Sequence, residues 1–166
     1  KCDIISVILI VLLGIEGEIA VQISTRGRYG LRAMLDLALN PSQTPIPLRV
    51  IAERQGIADA YLEQVINTLR KAGLVTAVRG AHGGYQLARP ANTITVGEVL
   101  RALEGPIAPV YCVEDNGKTS CERQNFCLTR PLWHELTELI NNFLDSKTLQ
   151  DLAEQANHEE GITYYI

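Results

Sequence analysis

Between Pro47 and Ala88 the chain runs through a helix, a glycine turn, a second helix and a two-stranded hairpin, and few folds accommodate that order. The first helix is short, Leu48 to Arg54, and stops at Gly56. After Ile57, Asp59 is placed to cap a second helix whose Leu62, Val65, Ile66 and Leu69 recur at the spacing of one buried face. Helix, tight turn and helix is the helix-turn-helix pattern, whose second helix enters the DNA major groove. Its outward positions are Ala60, Tyr61, Glu63, Gln64, Asn67 and Arg70. A Glu accepts from cytosine N4 and a Gln pairs with adenine, so Glu63 and Gln64 suit base readout. Two strand-like runs follow, Leu74 to Val78 and Tyr85 to Ala88, joined by Arg79-Gly-Ala-His82-Gly-Gly84. A plain helical hairpin would share the first half of the pattern but not this wing. Arg79 at such a tip can enter a narrow minor groove, with His82 beside it. A nucleotide-binding glycine loop is excluded, because neither the strand-loop-helix context nor the Lys-Ser/Thr end is present.

Upstream, Tyr29, Leu31, Met34, Leu35, Ala38 and Leu39 predict a helix from Ser24 that ends at Pro41. Arg26, Arg28 and Arg32 lie in its first turns, where cations oppose the helix dipole, so an anionic partner such as phosphate is expected. The charge distribution agrees. Residues 21–90 hold nine Arg and Lys against four Asp and Glu, net +5, whereas residues 91–166 hold five against twelve, net −7. One half is suited to phosphate and the other is not. Residues 1–20 are of another kind. Ile4 to Ile15 is apolar, but its twelve residues fall short of the roughly twenty that a membrane helix needs. No basic segment and small-residue cleavage site mark a secretion signal. We expect residues 1–20 to lie outside the domain, as vector-derived or upstream-translated sequence, a membrane-associated tail being the other reading.

Downstream, Thr95 starts a helix with Val96, Val99, Leu100 and Leu103 on one face, ending at Gly105-Pro106. Three of the four cysteines then fall within sixteen residues, Cys112, Cys121 and Cys127, around an Asn116-Gly117 pair that breaks regular structure. In a reducing cytoplasm, the expected compartment, such cysteines bind metal or do redox work more often than they staple a fold. Pro131 suits the first turn of a long helix whose Leu132, Trp133, Leu136, Leu139, Ile140, Phe143 and Leu144 form one stripe. A small winged domain covers only part of that stripe, and the same helix of a second subunit is the simplest cover for the rest. A short amphipathic helix follows from Leu149. The expected fold is thus mainly α with a small β-wing. Its parts are a winged helix-turn-helix over residues 21–105, a cysteine loop over 106–130, dimerisation and terminal helices over 131–157, and a tail over 158–166.

Ser24-Thr-Arg-Gly-Arg-Tyr-Gly-Leu-Arg-Ala-Met-Leu-Asp-Leu-Ala-Leu39, Ile51-Ala-Glu-Arg-Gln-Gly-Ile57, Tyr61-Leu-Glu-Gln64, Leu69-Arg-Lys-Ala-Gly-Leu-Val75, Val78-Arg-Gly80, Gly83-Gly-Tyr85, Val96-Gly-Glu-Val99 and Cys127-Leu-Thr129 together resemble the Rrf family of bacterial transcription regulators. Within it they are most similar to the branch that governs iron–sulfur cluster assembly. The likeness extends from about Val21 to Leu152. It implies a homodimer that binds double-stranded promoter DNA, as activator or repressor, and carries an iron–sulfur cluster, 2Fe-2S in type, in each subunit. By position, Glu63 matches a major-groove reader, Arg79 the wing arginine, and Cys112, Cys121 and Cys127 the cluster ligands. Arg26, Arg28, Tyr61, Gln64, Arg70 and His82 complete the expected DNA-binding set.

Two departures stand out. The first cysteine gap is longer than in that branch, and the histidine that supplies its fourth ligand is replaced by Arg130. A guanidinium has no lone pair to offer. Some relatives use an acidic or histidine residue of the first helix, but Arg28 and Arg32 occupy those positions. His134, Glu122, Asp115, an external thiol or water are the remaining candidates. Two other functions fit less of the chain. A winged regulator with a thiol or zinc switch keeps the DNA-binding half, although zinc's common Cys-x-x-Cys pair is missing. A small iron–sulfur electron carrier leaves the wing and the basic half without purpose. No nucleophile-base pair or paired carboxylates of catalytic type can be argued from spacing, so a non-enzyme without a small-molecule substrate is expected.

Overall fold

A computed structural model describes residues 23–40, 44–80, 82–113 and 121–158. The expected extension over residues 1–20, the Pro41 stop, Ala81 of the hairpin tip, Asp115, the Asn116-Gly117 pair and the tail beyond His158 lie outside them. The described chain runs α1 (Thr25–Ala38), α2 (Leu48–Gln55), α3 (Asp59–Lys71), β1 (Val75–Val78), β2 (Gly84–Leu87), α4 (Val96–Glu104), α5 (Arg130–Asp145) and α6 (Leu149–His158). Short 3-10 turns span Ala91–Thr93 and Tyr111–Val113. This is the mainly helical fold with a small β-wing that the sequence predicts.

Ser24 caps α1, its Oγ accepting from the amides of Arg26 and Gly27. The inward face of α1 combines apolar residues with small ones. Gly27, Gly30, Ala33, Met34 and Leu37 are buried, while Leu31 and Leu35 are only half-buried. Small residues face inward because α4 lies close against α1. A methyl group at Gly30 would overlap the Leu103 side chain and crowd Val65 of α3. At Gly27 it would overlap the Glu104 carboxylate, which accepts from both the amide (3.1 Å) and the hydroxyl (2.7 Å) of Ser24. Glycine inside a helix costs about 1 kcal/mol relative to alanine, so two on one face need this close approach as compensation.

Leu62, Val65, Ile66 and Leu69 of α3 are buried as predicted. Asp59, however, is not the cap. Ala58 takes that place in extended backbone with no side-chain hydrogen bond, and Asp59 is the first helical residue, where its charge favours the dipole. Gly56, in the left-handed region at φ 63°, ends α2 one residue later than expected. Arg32, expected among the outward cations, turns inward instead. Its Nε donates to Gln55 Oε1 (3.1 Å) and its Nη2 to the Gln55 carbonyl (2.6 Å), satisfying the C-terminus of α2. Gln55 and Arg54 in turn donate to the buried Asp36 carboxylate at 2.8 and 3.1 Å. This network locks α1 to the first helix of the helix-turn-helix.

The hairpin pairs Val75 with Leu87 and Val78 with Gly84 in antiparallel register. It is fastened to the chain entering α2 by reciprocal Ile46–Tyr85 backbone bonds of 2.9 and 2.8 Å. At Gly84 a side chain would collide with the Ile46 backbone, which accounts for glycine there. A capping box between Thr95 and Glu98 opens α4, as the sequence predicts. Leu149 and Ala153 of α6 are buried, and the Leu149 amide donates to the Ile94 carbonyl at 3.0 Å. No residue of α5 is fully buried. Only Ile140 and Leu144 of its stripe pack against Val96, Leu100 and Ile107, while Leu132, Leu139 and Phe143 stay 57, 61 and 63% exposed.

Gly30→Ala should lower unfolding free energy by about 1–3 kcal/mol, the usual range for overpacking, although alanine is the better helix former. Urea denaturation followed by circular dichroism measures this. A neutral or stabilising outcome would contradict the close α1–α4 contact.

Candidate nucleic-acid interface and cysteine segment

With one face of α3 buried, its opposite face is left to solvent. Ala60, Glu63, Gln64 and Arg70 are exposed, and Asn67 is half-exposed. Tyr61 is partly withdrawn, its ring edge-on to Tyr29 with centroids 6.0 Å apart. That contact joins α3 to α1 and turns the phenol into a fixed element of the surface. Arg26 is exposed at the start of α1, and its Nη2 donates to Thr68 Oγ1 of α3 at 2.6 Å. Arg28, also exposed, donates to Thr25 Oγ1 at 3.3 Å. The structure therefore brings the arginine-bearing turn of α1 against the recognition helix. Thr68, which anchors Arg26 and itself donates to the Gln64 carbonyl at 3.1 Å, was missed by sequence reasoning. A lone threonine inside a helix carries no signal of that use. Arg79 follows directly on β1, and His82 lies across the tip before β2; both are exposed.

The three cysteines are free thiols, each half-exposed. Cys112 sits in the Tyr111–Val113 turn, held in place by buried Val113. Cys121 begins the fourth described stretch, and Cys127 precedes α5 by three residues. Thr129 Oγ1 lies 3.3 Å from Cys127 Sγ. Hydrogen bonds from the Thr129 hydroxyl and amide, with lesser help from Arg130, hold the Cys127 thiol below its ordinary value of 9.0. Thiolates are soft donors suited to iron–sulfur clusters, so the donor chemistry fits. Their placement is looser. Among the described residues no group of three or more His, Cys, Asp and Glu is gathered closely enough to hold a metal ion, and His134 is exposed on the first turns of α5. Arg130 is half-buried, and its Nε has no hydrogen-bond partner. Phe126 and Leu128, on either side of Cys127, are 87 and 97% exposed.

No helix among the described residues is long and apolar enough to cross a membrane. Residues 23–155 match the Rrf2 family model, described as an iron-dependent transcriptional regulator. The chain is 47% identical over 136 residues to protein rrf2 of Nitratidesulfovibrio vulgaris, covering 82% of this chain and 89% of that one. It is 45% identical over 139 residues to the HTH-type transcriptional regulator IscR of Photobacterium profundum, covering 84 and 79%. Among solved structures it is similar to IscR of T. potens, with a TM-score of 0.70 and 40% identity over 90% of this chain and 98% of the other. It is likewise similar to CymR, the global cysteine regulator of B. subtilis, with a TM-score of 0.67 and 42% identity over 81 and 97%. With its winged helix-turn-helix and these matches across most of its length, the chain belongs to the Rrf2 family of transcriptional regulators.

Proposed function

We propose that this regulator is a homodimer that binds double-stranded promoter DNA with an affinity set by an iron–sulfur cluster, of 2Fe-2S type, held by Cys112, Cys121 and Cys127. The observation that carries the proposal is the exposed polar face of α3 with arginines on both flanks, in the same chain as three unpaired thiols. Glu63 and Gln64 read base edges, Arg79 and His82 enter the groove beside the wing, and Arg26, Arg28, Tyr61 and Arg70 meet the backbone. Residues 21–105 form the DNA-binding part, 106–130 the sensing segment and 131–157 the dimerisation and terminal helices. In the dimer, α5 packs its exposed Leu132, Leu139 and Phe143 against the same helix of a second subunit, which explains why they are bare in one copy. A reducing cytoplasm is the compartment that keeps such thiols free.

When bound, the cluster supplies a redox-active, labile iron centre. The Thr129 hydroxyl and amide lower the Cys127 thiol, which favours the thiolate that a cluster needs as ligand. The fourth position falls to His134, Glu122, Asp115, an external thiol or water, because Arg130 has no lone pair. A second mechanism keeps DNA binding and makes the same cysteines a thiol or zinc switch. It is favoured by the lowered Cys127 thiol and by the likeness to a cysteine regulator.

Anaerobic purification and reconstitution with iron and sulfide should give visible absorption and bound iron, both lost in a Cys112→Ala, Cys121→Ala, Cys127→Ala triple variant. Zinc without iron in freshly isolated protein, or a colourless protein after reconstitution, would sink the cluster and leave the switch. On a labelled duplex selected in vitro by the wild-type chain, Arg79→Ala should weaken binding by about 1–3 kcal/mol in fluorescence anisotropy, the worth of one specific contact. Unchanged affinity across salt concentrations would take the wing arginine out of the interface. Leu139→Glu combined with Phe143→Glu should sediment as a monomer where wild type sediments as a dimer. A dimer that survives both charges would place the subunit contact elsewhere.

A further inference from the structure

We propose that Asn141 is a positioning residue that mechanically couples the cysteine segment to the DNA-binding part, through a clamp with Arg101; the inference rests on the sensing function proposed above. Asn141 is half-buried on α5, and its amide is engaged on both sides. Its Nδ2 donates to the Ile107 carbonyl (3.0 Å) and to the Thr137 carbonyl one turn back (2.9 Å). Its Oδ1 accepts from Arg101 Nη1 of α4 at 3.0 Å. A guanidinium only donates and a carbonyl only accepts, so this network leaves one orientation for the amide. The other arm of Arg101 pairs with Asp145, one further turn along α5, and Thr95 also donates to that carboxylate, at 3.3 Å. Gly97 is part of the arrangement. A methyl group there would run into the Asp145 carboxylate and the Arg101 guanidinium, so the first turn of α4 is cleared for the clamp.

The clamp ties the entry to the cysteine segment, at Ile107, onto α5, the helix that the segment's other end leads into. Ile107 lies five residues before Cys112, and its side chain is buried. Cys127 joins α5 directly, its carbonyl accepting from the Arg130 amide at 3.3 Å. No residue of α5 is fully buried, and this helix is held to the rest of the chain by Ile140, Leu144, these polar contacts and its packing against the Tyr111–Val113 turn that carries Cys112. Elements held so sparsely are the ones that shift at low free-energy cost. Drawing Cys112 toward Cys121 and Cys127 pulls on Ile107, and Asn141 hands that pull to Arg101 on α4. From α4 it reaches α1 and α3 through Leu103, which lies over Gly30 beside Val65.

Asn141→Asp is the informative variant, because it keeps an acceptor for Arg101 and loses the donors to Ile107 and Thr137. In the metal-free full chain, hydrogen exchange of the 107–113 backbone should accelerate about tenfold while residues 62–69 stay within twofold of wild type. Affinity for the in-vitro-selected duplex is then measured for reconstituted and metal-free protein. Wild type should show at least a tenfold ratio between the two states, and Asn141→Asp should bring that ratio below threefold. Unchanged exchange at 107–113, or a variant that keeps the wild-type ratio, overturns the coupling. A ratio of one in wild type overturns the sensing function, and the coupling with it. If Asn141→Asp does not fold, Arg101→Lys replaces it. A lysine cannot hold Asn141 and Asp145 at once, so it should also bring the ratio below threefold, and the full wild-type ratio in that variant overturns the coupling.

Discussion

The close approach of α1 to α4 is the contact on which the rest of this molecule depends. It is possible only because Gly27 and Gly30 present no side chain where Glu104 and Leu103 arrive. One face of α1 thereby holds α4 and, through Val65, touches the buried side of α3. The face of α3 turned to solvent is consequently fixed by packing on the opposite side of the helix. The same contact places Glu104 on the Ser24 cap, so the first turn of α1, with Arg26 and Arg28, is held at both its amides and its hydroxyl. A surface that meets DNA gains from such rigidity, because every side chain immobilised in advance is entropy not lost on binding.

The rear half is built on the opposite principle. α5 has two faces. The Thr137, Asn141 and Asp145 row is turned to the rest of the chain through hydrogen bonds, and the Leu132, Leu139 and Phe143 row is exposed. A helix without a fully buried residue gains little hydrophobic stabilisation from the rest of its chain. Cys112 and Cys127 lie on the chain between α4 and this lightly held helix.

Several elements were legible from residue order. The buried face of α3, the Thr95 cap, the hairpin and the partly covered stripe of α5 follow from local periodicity and turn chemistry, and all stand where they were predicted. The rest has separate causes. Gly27 and Gly30 are buried on α1 because close helix packing selects small residues, and hydropathy does not register that. Asp59 has the right chemistry for a cap but falls one residue late, because the extended backbone ends at Ala58. Arg32 resembles Arg26 and Arg28 in sequence and differs from them only because Gln55 lies within its reach.

The sequence by itself determined the order of elements, the basic and acidic halves, and an arginine rather than a lone-pair donor at position 130. These are properties of neighbours along the chain, where spacing, charge and side-chain chemistry act locally. Only the tertiary structure decided that Arg26 is fastened to Thr68, that Arg32 is spent on Gln55, and that Asn141 bridges Ile107 to Arg101. Each of those contacts joins residues more than twenty positions apart. A hydrogen bond forms on distance and direction, and for residues so far apart in the chain both are set only when the helices have packed.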